Sequence, residues 1–361
     1  MSKGNGRRFP LPRKTGIDGA MLRHAFLLPL CLLAAALPAP ALANDSEAEW
    51  ALGGLAFRQN TAISMDAEDL YISADEIRVN YTYTNHSDQP QTVMIAFPLP
   101  ALPGDRAGEI EYGAYPDWRT LDFTTTIDGQ PVKWEAAERA LSGTNDVTDA
   151  VKAEGFPLAW YEDENFLDTV DKLPPETAAR LVKAGLLAKA PAEWGGSGYM
   201  PAWQVQYSIT RQQTFPANAT VHDSHRYKPV IGGAVGGVID HFGDPTYADD
   251  TGYYARKYCT DADFVAGVKK RTRAEMAKSG LDYPAYNETW IGYVLSTGAN
   301  WRGPIGDFHL VIDKGKADSL LSVCLDGLKK ISPTQFELRK KDYEPDRDLN
   351  ILIAQWYSPD N

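Results

Sequence analysis

Positive charge is in short supply. The chain has 361 residues, with 36 Lys+Arg against 48 Asp+Glu and a formal net charge of −12. That balance argues against non-specific nucleic-acid binding, which needs a basic footprint. Catalytic strings are missing as well. There is no G-x-S-x-G: the nearest stretch, Gly195-Gly196-Ser197-Gly198-Tyr199, lacks the last glycine and follows a helical pattern rather than a strand. Neither a Walker A string nor H-E-x-x-H occurs. Gly232-Gly233-Ala234-Val235-Gly236-Gly237 is glycine-rich, but no Lys, Ser or Thr completes a phosphate cradle, so it reads as a backbone-packing loop or bulged strand. No collagen, coiled-coil or solenoid period is present.

What is there is enough to fold. Hydrophobic residues make up 43% and charged residues 23%, sufficient for a buried core. The length suits two domains, or one large one with an insertion.

Residues 1–43 read as an export leader. Lys3, Arg7, Arg8, Arg13 and Lys14 outnumber the single acid Asp18, and an apolar run from Ala25 to Leu37 follows. Ala41-Leu42-Ala43 then supplies a small-x-small cleavage site, which places the cut between Ala43 and Asn44. Met21 offers a compact alternative start. Pro29 and Pro38 and the shortness of the run argue against a retained anchor. Loss of the leader removes six bases and one acid, leaving 30 against 47 and a net charge of −17. The apolar stretch at 230–239 is too short and too glycine-rich to cross a bilayer. The processed protein is therefore expected to be soluble, acidic, and periplasmic or secreted, with no membrane span.

Two cysteines remain after the leader, Cys259 and Cys324. In an oxidising compartment an isolated pair forms a disulfide. The alternative is a nucleophilic thiol with His309 as its base, but no local feature indicates the low thiol pKa that it would need.

Alternation dominates the body. Ile77, Val79, Tyr81 and Tyr83 face one way and Arg78, Asn80, Thr82 and Thr84 the other, a half-buried strand. Asn85 to Asp88 turns the chain into Val93, Ile95 and Phe97. Phe123, Thr125 and Ile127 lead through Asp128-Gly129 to Val132 and Trp134. Residues 44–134 are thus expected as the first part of a β-sandwich built from hairpins. Residues 135–196 are richer in Ala and Leu and read as a helical insertion, with Pro174-Pro175 opening one helix. Residues 197–245 resume the sandwich, and 246–361 form an α/β C-terminal part with a β-rich end. The expected class is mainly β with a helical insertion, an antiparallel β-sandwich architecture in two β units.

Several short strings together carry a family resemblance. They are Gly53-Gly54-Leu55, Glu68-Asp69-Leu70-Tyr71-Ile72-Ser73, Ala96-Phe97-Pro98-Leu99-Pro100, Phe215-Pro216-Ala217, Tyr258-Cys259 and Tyr343-Glu344-Pro345 with Asp348-Leu349. The chain resembles the bacterial exported family of domain of unknown function 4424. That resemblance implies an envelope or secreted, mostly β protein, brings no catalytic residues with it, and favours the Cys259–Cys324 bridge. Residues 81–129 are also similar to the vault and inter-alpha-trypsin-inhibitor type of β-sandwich.

Candidate sites are few. His222, His225, Asp240, His241 and Asp244 flank the glycine-rich stretch, and two imidazoles with a carboxylate would suit Zn²⁺. The odd spacing of His222 and His225 puts them on opposite faces of a strand, however, so only one can reach a shared ion. Trp118, Trp194, Tyr253 and Tyr254 are candidates for an aromatic contact surface in loops, since rings with polar tips suit wet interfaces. Asn85 and Asn218 begin N-x-S/T strings. The favoured expectation is a non-catalytic exported protein that binds an envelope protein or glycan and needs no cofactor. The alternative is a periplasmic hydrolase, metal-assisted, using the His222/His225/His241 region.

Overall fold

Inward-facing apolar residues decide which surface each strand buries. The computed structural model describes residues 44–51, 54–102, 121–163, 165–190, 198–280 and 286–356. The expected leader with Ala43, and the candidates Trp118 and Trp194, lie outside the described residues. The first strands are β1 (Ser46–Ala51), β2 (Gly54–Arg58), β3 (Ile63–Ile72), β4 (Ile77–Asn85) and β5 (Gln91–Pro98). Then come β6 (Thr124–Ile127), β7 (Gln130–Pro131), β8 (Glu135–Ser142) and β9 (Asn145–Asp146). Helices α1 (Thr148–Ala153), α2 (Phe166–Asp171) and α3 (Pro175–Lys183) lead to β10 (Leu187–Lys189), β11 (Tyr199–Pro201), β12 (Gln204–Phe215), β13 (Thr220–Tyr227) and β14 (Ile231–Val235). Helices α4 (Ala248–Tyr258) and α5 (Ala262–Ser279) precede β15 (Tyr286–Tyr293), β16 (Ile305–Asp313), β17 (Leu320–Val323), β18 (Lys329–Lys330), β19 (Gln335–Tyr343) and β20 (Leu349–Trp356). No helix among the described residues is long and apolar enough to cross a membrane.

An eight-stranded sheet runs β18-β19-β16-β3-β4-β13-β6-β7, and a six-stranded sheet runs β2-β1-β5-β12-β8-β9. A four-stranded sheet runs β14-β15-β20-β17, and β10 pairs with β11. The class is mainly antiparallel β, as the alternation required, although β3 and β16 pair in parallel. The two large sheets face each other across an aromatic layer. Tyr83 packs on Phe215 and Trp301, with ring centroids 5.8 and 4.7 Å apart, and Phe97 packs on Tyr227 at 5.6 Å. Strand β20 is buried on both faces. Leu349, Ile351 and Ile353 join the sandwich core, while Leu352, Ala354 and Trp356 join a second core with Tyr254, Tyr258 and Val268 of α4 and α5.

The disulfide joins Cys259 to Cys324, with Cα atoms 4.9 Å apart and a sequence separation of 65. Both thiols are thereby consumed. Closing so long a loop contributes about 4 kcal/mol in the chain-entropy picture. Cys259 occupies the left-handed C-cap of α4, at φ 54°.

Three expectations need correcting. The turn at Asn85 joins no hairpin: β4 pairs with β3 and β13, whereas β5 pairs with β1 and β12, so the turn carries the chain between sheets. Asn85 holds this corner, donating to the carbonyls of Phe215 and Pro216 at 3.0 and 3.1 Å. Residues 135–146 are strands, not the opening of the helical insertion, which spans α1 to α3. The fully buried positions of β8, Ala137 and Ala140, are three apart and imitate a helical stripe, and pairing with β12 overrides it. The tyrosine-rich stretch from Tyr247 to Tyr258 is helical from Ala248 on rather than a loop, with Asp249 and Asp250 in its first turn and Arg256 and Lys257 in its last. Strands β16 and β19, from the C-terminal part, belong to the eight-stranded sheet. The hairpin on Asp128-Gly129 is present between β6 and β7, with both residues at positive φ.

Candidate functional site

Strand β12 extends its inward row past Ile209 to Arg211, Gln213 and Phe215, all buried. A charged residue therefore enters the space between the sheets. Arg211 Nη2 lies 2.8 Å from Asp45 Oδ2 and 2.6 Å from Asp223 Oδ2 on β13. Gln213 Nε2 donates to Asp223 Oδ1 at 3.0 Å. His225, two residues along β13, places Nε2 3.1 Å from Asp45 Oδ2 amid the rings of Tyr81, Phe97 and Phe123. Burial works to raise the Asp45 pKa, but the Arg211 charge and the His225 contact outweigh it and hold this carboxyl well below the usual range. For Asp223 burial wins over Arg211, and its pKa is raised.

A second buried group adjoins the first. Asn44 donates from Nδ2 to Glu68 Oε2 at 2.8 Å and accepts at Oδ1 from the Tyr81 hydroxyl. Tyr293 OH donates to Glu68 Oε1 at 3.2 Å and lies 3.1 Å from Tyr81 OH. Burial pushes the Glu68 pKa up to about 8.

Tyr293 also lines an open cleft of about 280 Å³ between the six- and four-stranded sheets. Gln204 and Gln206 come from β12, Lys257 from the end of α4, Trp290 from β15 and Asn350 from β20. The approach is close, since a Cβ on Gly292 would stand 3.1 Å from the Pro100 ring. Asp348, also in the lining, fixes the next turn by accepting from the Leu295 and Ser296 amides at 3.2 Å. This lining mixes carboxamides, an ammonium and aromatic rings, so it can hydrogen-bond a polar molecule and stack against it.

The histidine candidates are dispersed. His222 is exposed on the outer face of β13 beside Thr82, while His225 is buried on the inner face. Asp240 and His241 lie in the short 3-10 helix Ile239–His241, and His241 stacks on Tyr247 with centroids 3.8 Å apart. Asp244 caps the next turn by accepting from the Thr246 amide at 2.9 Å. Among the described residues, no three His, Cys, Asp or Glu side chains are grouped to hold a metal. His309 sits elsewhere, bonded to Asp69 and Glu337 at 2.8 and 3.0 Å. Of the aromatic candidates, Tyr253 is half-buried and contacts Lys257. Tyr254 is not a surface residue: it is buried and donates to Glu288 Oε2 at 2.7 Å, because the helix turns it onto the four-stranded sheet.

Residues 43–352 match the family described as domain of unknown function, DUF4424. The chain belongs to this family. Among curated proteins, none matches this DUF4424 member. Among solved structures it is similar to a protein of Legionella pneumophila titled a "putative nutrient binding protein". They share 14% identity, with a TM-score of 0.40, over 82% of this chain and 68% of that one. It is also similar to an M1 zinc metallopeptidase of Deinococcus radiodurans, at 8% identity and a TM-score of 0.27, over 82% of this chain and 43% of the other. Both similarities are distant.

Arg211, Asp45 and Glu68 were not among the site candidates read from the sequence. The signal for Arg211 is its parity with Tyr207 and Ile209. Glu68 shares parity with Leu70 and Ile72, but a bulge between Met65 and Ala67 breaks the row before it. The cleft gave no local signal, because its lining comes from separate segments.

Proposed function

We propose that this DUF4424 protein is exported, is processed between Ala43 and Asn44, and binds a small polar ligand, a glycan fragment, without transforming it. The cleft between the six- and four-stranded sheets carries this reading. Its volume of about 280 Å³ is at the lower limit for small-molecule sites. The carboxamides of Gln204 and Asn350 are in its lining, groups of the kind that pair with sugar hydroxyls, while Gln206 is held by Arg139 and the Leu99 carbonyl. Trp290 adds an aromatic ring to the lining and Lys257 a positive charge. The basic leader with Ala41-Leu42-Ala43 supports export, as does a disulfide suited to an oxidising compartment.

A glycan array followed by calorimetry tests the binding. Gln204→Ala and Asn350→Ala are each expected to weaken a captured glycan by roughly 5- to 10-fold, the worth of one hydrogen bond. Unchanged affinity in both variants, or release of a cleaved product, would overturn the reading.

A further inference from the structure

Glu68 is a buried acid without a cation. It is 1% exposed, and among the described residues its two oxygens receive only the Asn44 carboxamide and the Tyr293 hydroxyl. Among the described residues no Lys, Arg or His pairs with it. The neighbouring buried acids are matched: Asp45 and Asp223 share the Arg211 guanidinium. A buried carboxylate left unpaired is costly, and burial accordingly keeps a proton on Glu68 to about pH 8.

The residue that touches Glu68 is the one that follows Ala41-Leu42-Ala43. Asn44 is 0% exposed. The chain beyond it is pinned. Trp301 Nε1 donates to the Asp45 carbonyl at 2.7 Å, and Ser46 is in register with Ala96 on β5. Hydrolysis of the Ala43–Asn44 bond consumes one water and leaves a carboxylate on Ala43 and an ammonium on Asn44. That ammonium arises inside the protein, on a residue whose own side chain already reaches Glu68. A buried ammonium needs a carboxylate as much as Glu68 needs a cation.

We propose that Glu68 is the receptor for the α-ammonium group of Asn44, an ion pair that forms only after the leader is removed and that completes the centre of the sandwich. Glu68 releases its proton to solvent as the pair forms. The proposal rests on the processing step of the proposed function and is independent of the ligand in the cleft. It gives the cleavage position a structural meaning, because a terminus one or two residues away would not present its charge at Glu68.

The test uses the full precursor, exported from a bacterial host and purified after processing. Intact mass is expected to place the first residue at Asn44. Acylation of the native protein at neutral pH, read on the N-terminal peptide, is expected to modify the α-amine roughly 10-fold or more slowly than after unfolding in urea. Glu68→Gln and a Gly-Ser insertion between Ala43 and Asn44 should each lower the melting temperature by roughly 5 to 10 °C. The two changes together should lower it no further than one alone. A first residue other than Asn44 overturns both processing and pair. A terminus at Asn44 whose native amine reacts as fast as the unfolded one, or melting losses that simply add, overturns the pair alone.

Discussion

Arg211 of β12 and Asp223 of β13 meet across the gap between the two large sheets at 2.6 Å, both buried. The contact is an electrostatic bolt through an otherwise aromatic core. Asp45 shares the same guanidinium nitrogen, so two carboxylates depend on one cation.

Removing that cation should be severe. Arg211→Leu leaves Asp45 and Asp223 buried without it, which costs at least about 3 kcal/mol. Urea denaturation should show the loss directly. Arg211→Leu combined with Asp223→Leu is expected to recover part of it, since both charges leave together.

Glu288 sets a pH dependence under α4. Burial raises its pKa above the ordinary 4.5, against the donors Tyr254, Trp290 and Tyr286. A raised folded-state pKa means the folded form binds its proton more tightly. Its stabilising contribution is therefore full below pH 4.5 and is lost as pH rises through the folded value. Unfolding free energies at pH 4 and pH 7 should show Glu288→Gln gaining on the wild type as pH rises. A difference that stays constant, or that shifts in favour of the wild type as pH rises, would contradict this assignment.

Gly233 is held to glycine by its neighbour strand. A Cβ there would stand 2.6 Å from the Glu288 carbonyl oxygen, closer than any relaxed contact. Gly233→Ala should cost about 1 to 3 kcal/mol in chemical denaturation. Gly243→Ala serves as a contrast: no atom lies within 4 Å of its added Cβ, and its cost comes from its positive φ alone.

Much of the sandwich was legible in the sequence because alternation fixes facing. Val221 to Tyr227 shows this: the odd residues are buried, so His225 goes in and His222 stays out. Strand β8 was not legible, since its alanines carry little β preference and only the partner β12 determines their state. The Cys259–Cys324 bridge was legible from cysteine arithmetic. The buried ionic group was half legible. Asp223 and His225 stood in a visible string, but Asp45 and Arg211 are 166 residues apart, and no local pattern announces such a pairing.

The parallel pairing of β3 with β16 has a temporal side. Tyr71 and Asp313 touch across it although 242 residues separate them. A ribosome must deliver most of the polypeptide before the middle of the eight-stranded sheet can zip shut, and closing so distant a contact is slow. The eight-stranded sheet thus cannot be completed until the segment that carries β16 has been made.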